Sequence, residues 1–262
     1  MKRISSFIVT LLMVSGSAMA QYVDDNMLFN HLGAGISLGL DGIGIEVSTT
    51  ATQWAGVRAG ISFFPNISYS PSDINYNRHN KDGKLGLDAK FKKVDGKILI
   101  DGYPFGAKSS FHITAGLFFG NSEFLTVDLK EDPNVPIDGG IVPPADRNPI
   151  GYAIDPDENG IIKLRMKYNS VKPYIGIGIG RAVPKAGKRI AVAADLGVQF
   201  HGSPKVQAYS PEGTGWMDMK AEDFYSIVEK EKDQKDIKDA FDLVEKIKVW
   251  PVLNIRITGR IF

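Results

Sequence analysis

Apolar and polar side chains alternate with a period of two along residues 172–203, and this stretch organises the reading of the chain. Ile175, Ile177 and Ile179 share one face, with Gly176, Gly178 and Gly180 opposite. After a turn rich in Gly, Pro and Lys, Ile190, Val192, Ala194, Leu196, Val198 and Phe200 share a face. Ala191, Ala193, Asp195, Gly197 and Gln199 occupy the other. Strand side chains point alternately to the two sides of a sheet, so the pattern predicts a β-hairpin. Each half has about the 9–11 residues a tilted strand needs to cross a bilayer. An unbroken apolar face backed by Gly, Asp and Gln suits a barrel wall with lipid outside and a polar lumen inside. A hairpin of a soluble sandwich shows the same alternation, with the apolar face turned to a core.

The pattern recurs. Residues 30–40 alternate, Asp41-Gly42 is a tight-turn dipeptide, and Ile43, Ile45 and Val47 begin the return strand. A third strand runs through 55–63. Glu46 and Arg58 fall on the polar faces of these neighbours, either as an ion pair or as separately hydrated charges. Residues 65–82 are a polar loop, and 85–103 are either one long strand or a hairpin. Phe111, Ile113, Ala115, Leu117 and Phe119 form another face with His112 behind it. Residues 121–160, rich in Pro and Asp, predict a long external loop with room for a short hairpin. Over 221–248 the apolar spacing changes to three and four (Phe224, Ile227, Val228; then Ile237, Ala240, Phe241, Val244, Ile247), predicting one or two amphipathic helices with Asp218 as a cap. Residues 250–262 alternate again. Arg256 and Arg260 must then face a lumen, because Arg on the lipid side at mid-bilayer costs about 2–4 kcal/mol.

The ends of the chain favour the membrane. Lys2 and Arg3, an apolar run over 7–14 and Ala18-Met19-Ala20 form a signal-peptide pattern over 1–20, leaving 21–262 as the exported chain. With no Cys there is no lipidated N-terminus, disulfide or thiolate metal site. No stretch has the long apolar run of a spanning helix. The 31 basic and 30 acidic residues balance, so there is no basic footprint for nucleic acid.

With this leader, the repeated strands and a terminal Phe262, the chain resembles outer-membrane β-barrel proteins of Gram-negative bacteria. It looks like a group of small, largely uncharacterised barrels that share phrases written here as DGYPF from Asp101, KPYIGIGIG from Lys172 and ADLGVQFHGSP from Ala194. The resemblance implies an all-β, antiparallel transmembrane barrel of about eight to ten strands, up to twelve, with a helical insertion before the last strand. It also implies contact with outer-membrane lipid and, through Phe262, with the outer-membrane assembly machinery. In such barrels the terminal Phe is in phase with the lipid-facing residues. Here strict alternation puts Phe262 on the polar face, and a bulge at Gly259 would restore the phase.

Candidate chemistry is sparse. Asp155, Asp157 and Asn159 with Gly160 match the first half of a calcium loop, but Met166 stands where a bidentate Glu is needed; the competing reading is an Asn-Gly turn. His201 and Ser203 share a strand face, as in an outer-membrane lipid hydrolase, without a third member to complete a triad. Glu46, Arg58, His112, Asp195, Arg256 and Arg260 are the candidate lumen residues. Trp54, Tyr103, Phe105, Tyr174, Trp250 and Phe262 are candidates for an aromatic girdle. No cofactor is called for. The expected function is a non-enzymatic barrel with a structural or surface-interaction role and a small ligand at its mouth. The alternative is a narrow solute pore gated or plugged by 221–248, and the hydrolase stands as a third class.

Overall fold

In the computed structural model, residues 29, 31–70, 74–78, 81–106, 108–134, 141, 143, 154–185, 187–210, 215–226 and 231–261 are described. The signal-peptide and Phe262 expectations therefore lie outside the described residues. The strands are β1 (Leu32–Gly39), β2 (Gly42–Thr52), β3 (Ala55–Tyr69), β4 (Ile74–Arg78), β5 (Lys81–Gly102), β6 (Phe111–Gly120) and β7 (Glu123–Lys130). They continue with β8 (Ile161–Lys167), β9 (Val171–Ile179), β10 (Ile190–Phe200), β11 (Lys205–Ser210), β12 (Gly215–Met219) and β13 (Val249–Arg260). A 3-10 turn, Ala221–Ser226, and helix α1, Glu231–Lys246, precede the last strand.

Eight strands close on themselves: β1 pairs with β2, then β3, β5, β6, β9, β10 and β13, and β13 returns to β1 through Gly33↔Arg260 to Gly39↔Asn254. Every pairing is antiparallel, so closure leaves no edge in the wall. Short turns 53–54, 103–110 and 180–189 lie at the end that carries β1's start and β13's finish. Outer-membrane barrels as a rule keep short turns on the periplasmic side and long loops outside, and by that rule this end is labelled periplasmic.

The barrel is built inside out relative to a soluble protein. Ile45, Ile177 and Ile255 on three different strands are 61%, 49% and 57% exposed, while Arg58, His112 and Arg256 on the opposite faces are 2%, 0% and 1% exposed. A soluble sandwich would reverse both sets. The apolar faces of the alternation therefore lie on the outside of the barrel and the polar faces inside it.

Residues 85–103 belong to one long strand. The Asp95–Gly102 half of β5 pairs with β6 in the wall. Its Gly86–Phe91 portion leaves β6 and pairs with β7, which continues through β8 and β11 to β12. This second sheet stands beyond the barrel at the mouth end. The expected external loop over 121–160 thus contains a full strand, β7, and the expected loop over 65–82 contains the end of β3 and β4. Strands β11 and β12 had no expectation; they are short, and their polar and apolar residues are mixed. Asp218 is no helix cap: it sits in β12, where it accepts hydrogen bonds from Lys205 and Gln207. Asp223 accepts from the Lys220 amide instead.

The mouth sheet has its own core of Leu85, Leu129, Ile141, Ile154, Ile162, Ala208, Met219 and Phe224. Helix α1 lays Ile237 and Phe241 against it. The three- and four-residue spacing of its apolar face continues to Val244 and then Ile247, past the helix end, and these two reach the barrel mouth.

Candidate functional site

The lumen is filled from its own wall. Arg58 on β3 lies 2.7 Å from Asp101 on β5, 3.3 Å from Asp195 on β10 and 3.5 Å from Glu46 on β2. Lys97 reaches Glu46 at 2.7 Å and Asp41 at 3.3 Å. Arg256 on β13 meets Glu46 at 3.5 Å and Asp195 at 3.6 Å. His112 contacts Asp195 through Nε2 at 2.7 Å, while its Nδ1 lies 3.1 Å from the Gly180 carbonyl. Thr114 donates to Asp101 at 2.7 Å. An eight-stranded barrel has an interior just wide enough for side chains. Here the inward residues of six strands meet across it as one interleaved ion-pair network. Water in a pore would reach these groups, yet Asp101 and Thr114 are wholly inaccessible.

Below the network the periplasmic turn after β9 folds back into the barrel. The Ala182 amide donates to the Tyr103 hydroxyl at 2.8 Å, and the Ala182 carbonyl accepts from Ser48 at 2.6 Å. Ala182, Val183 and Pro184 are buried there. The 172–203 pattern marked this segment only as a turn.

Above the network lies a cavity of about 260 Å³. Its walls are Phe91, Phe124, Tyr168 and Trp250, with Leu125, Met166 and Pro204, and Val244 and Ile247 cover it from the helix side. Phe91 stacks on Trp250 at 6.1 Å between centroids and meets Phe124 edge-on at 5.8 Å. Its polar residues are Lys93, Lys172, Gln199 and His201. Lys93 donates to Gln199 Oε1 at 3.1 Å and lies 3.5 Å from Asp95, which also pairs with Lys172. The Lys93 ammonium lies 5.0 Å from the Trp250 ring centre and that of Lys172 lies 4.7 Å from the Tyr168 ring centre. Gln199 Nε2, His201 Nδ1 and the Tyr168 hydroxyl are buried without a hydrogen-bond partner. Burial, reinforced by the nearby Lys172 and Lys93 charges, holds the His201 imidazole below its ordinary value, although hydrogen bonds at Gly202 and Val249 oppose this.

Of the expected lumen residues, Glu46, Arg58, His112, Asp195 and Arg256 meet in the network. Arg260 stands at the periplasmic rim, where its guanidinium meets His31. The β13 register runs through Gly259 unbroken on both sides (Ala34↔Gly259 and Ile190↔Gly259), so the proposed bulge is not there. The expected girdle is corrected at three positions: Tyr103 and Tyr174 are 3% and 4% exposed and point inward, and Trp250 lines the mouth cavity. Tyr174 shares parity with Lys172, Gly176 and Gly178, which marks it as a lumen residue. Trp54 and Phe105 are exposed near the periplasmic turns. Asp157 accepts from the Asn159 and Ile161 amides and pairs with Lys163 at 3.0 Å, serving the turn into β8. Among the described residues no group of three or more His, Cys, Asp or Glu side chains is placed to hold a metal ion, Asp155 and Asp157 included. His201 packs on Tyr168 at 5.3 Å between rings, and Ser203 is exposed. The residues missed by sequence reasoning, Lys93, Lys97, Lys172 and Asp95, were legible by parity alone, each lying opposite lipid-facing neighbours.

No protein-family model matches the chain, and no curated protein matches it. Among solved structures it is similar to Acinetobacter baumannii CarO2, at 21% identity and TM-score 0.50, covering 90% of this chain and 100% of that one. Acinetobacter baumannii CarO aligns at 17% identity and TM-score 0.40, over 90% and 99% of the two chains. A major outer membrane protein from Thermus thermophilus aligns at 10% and 0.36, over 88% and 98%. The likeness to CarO2 shows a shared fold. Together with the exposed apolar belt and the closed eight-strand ring, it makes the chain an antiparallel β-barrel of the outer-membrane type found in Gram-negative bacteria.

Proposed function

We propose that this protein is a closed, non-conducting outer-membrane barrel that presents a sheet, a helix and a small cavity at its mouth as a surface-interaction platform. On this reading residues 1–20 are cleaved on export, and the assembly machinery inserts the chain with its mouth outward. The observation that supports closure is the water-inaccessible charge network across the lumen, with Asp101 and His112 at 0% exposure. A diffusion pore needs a continuous polar path, which the ion pairs of Arg58, Lys97 and Arg256 occupy. The plugging role that the alternative reading gave the 221–248 segment is then unnecessary, because strand side chains fill the lumen beneath it. An enzymatic role has no support in His201, whose charged neighbours are Lys172 and Lys93.

Planar-bilayer recording tests the proposal. The refolded chain and a variant lacking 221–248 are both expected to give no stable unitary current steps. Steps from the intact chain would overturn closure, and steps from the deletion alone would restore the helix as a plug.

A further inference from the structure

The mouth cavity has an apolar wall, and at its floor two donors, the Gln199 amide and the Tyr168 hydroxyl, are buried without hydrogen-bond partners, as is Asp95 Oδ2. Four aromatic rings and five aliphatic side chains form nearly all of its lining. At the floor two ammonium groups, Lys93 and Lys172, share one carboxylate, Asp95. The other nearby carboxylate, Asp41, lies 3.3 Å from Lys97, which also reaches Glu46 at 2.7 Å. Beside Lys93 the Gln199 amide spends its oxygen on that lysine, which leaves its NH₂ unpartnered at 0% exposure. The Tyr168 hydroxyl is likewise unpartnered, at 8% residue exposure. A buried donor without an acceptor is costly, and a buried surplus charge more so. An occupant that supplies one negative charge and two acceptor oxygens relieves both.

We propose that the mouth cavity binds an apolar monocarboxylate, its body between the aromatic walls and its carboxylate on Lys93 and Gln199. This rests on the closed-barrel reading only in taking the mouth as the ligand-facing end. The volume sets the size: a cavity of about 150 Å³ takes benzene, so this one takes on the order of ten heavy atoms. A cationic ligand would meet the ammonium groups, and a dianion would exceed the single surplus charge inside an apolar wall. Aromatic acids and medium-chain fatty acids share the required chemistry.

The test is isothermal titration of the full chain in lipid nanodiscs, with empty nanodiscs subtracted, using phenylpropionate, octanoate and the corresponding neutral amides. Saturable one-site binding is expected for at least one acid, and about tenfold weaker binding for its amide, the loss of one charge-assisted hydrogen bond. A preference between the two acids identifies a ring or a chain as the natural body. Lys93→Met leaves Asp95 paired with Lys172 and should erase the acid–amide gap. Val244→Trp, on the helix and outside the barrel wall, should fill the cavity and abolish binding of both. Absence of saturable binding by a chain that migrates as folded, or equal binding of acid and amide, would overturn the proposal. Current steps in bilayers would overturn closure while leaving the binding result standing, so the two failures are distinguishable.

Discussion

Arg58 shows what a single residue does in this barrel. It is buried among three carboxylates from three different strands, so removing it leaves Asp101, Asp195 and Glu46 without their shared counter-charge. Breaking a buried pair from one side costs about 3–5 kcal/mol, whereas exposed pairs contribute little. Arg58→Met is therefore expected to lower barrel stability by about 3–5 kcal/mol in urea titrations followed by gel migration. Lys90→Ala, which removes an exposed pair with Asp128 on the mouth sheet, should leave the same midpoint unchanged. His201 supplies a pH dependence of opposite origin. Its folded form favours the neutral ring because of burial and the facing Lys172 and Lys93 charges, with the Tyr168 ring on another side. The unfolded chain takes up the proton first as pH falls below 6.5. The stabilisation is thus full above that value and is lost as pH falls through the lower folded value. Hydrogen-exchange protection at the Asn169 amide, which donates to the His201 carbonyl, should fall with acidification, and His201→Asn should remove that dependence.

Among the elements, β9 depends most on its glycines. A Cβ at Gly178 would collide with His112 Nε2 and lie 2.7 Å from the Ala194 carbonyl, and one at Gly176 would collide with the Tyr174 hydroxyl. These glycines leave the room that the imidazole and phenol occupy inside the lumen. Gly178→Val is expected to prevent closure, seen as loss of the heat-modifiable band, because the added methyls meet backbone as well as the ring. Helix α1 behaves differently. Its apolar face covers the mouth core and cavity without entering the wall, so Ile237→Asp should loosen the mouth sheet to proteolysis while the barrel stays intact.

At the scale of the molecule, one barrel carries a lumen filled by its own side chains, a folded-in periplasmic turn and a second sheet on the opposite rim. Closure without edges predicts resistance to detergent until boiling. Unboiled protein from outer membranes should migrate faster than boiled protein. Recovery from the soluble periplasm without such a shift would contradict the membrane reading.

Much of this architecture was legible along the chain. Period-two alternation identified most wall strands, because a strand with lipid on one side and a lumen on the other has no third place for a side chain. The same parity placed Glu46, Arg58, His112, Asp195 and Arg256 inside, and the change to helical spacing located α1. Tyr103 and Tyr174 were misplaced where nearness to a strand end was weighed above parity. Pairing partners could not be read this way: alternation says which face a residue occupies and nothing about which distant strand faces it. Only tertiary closure brought β2, β5, β6 and β10 around Arg58 and joined these charges into one buried network. The mouth sheet was hidden for a related reason. Its strands bury one face against a helix and a small local core, so their side chains follow no lipid-imposed rule, and β5 reveals its double membership only when its two halves part toward β6 and β7.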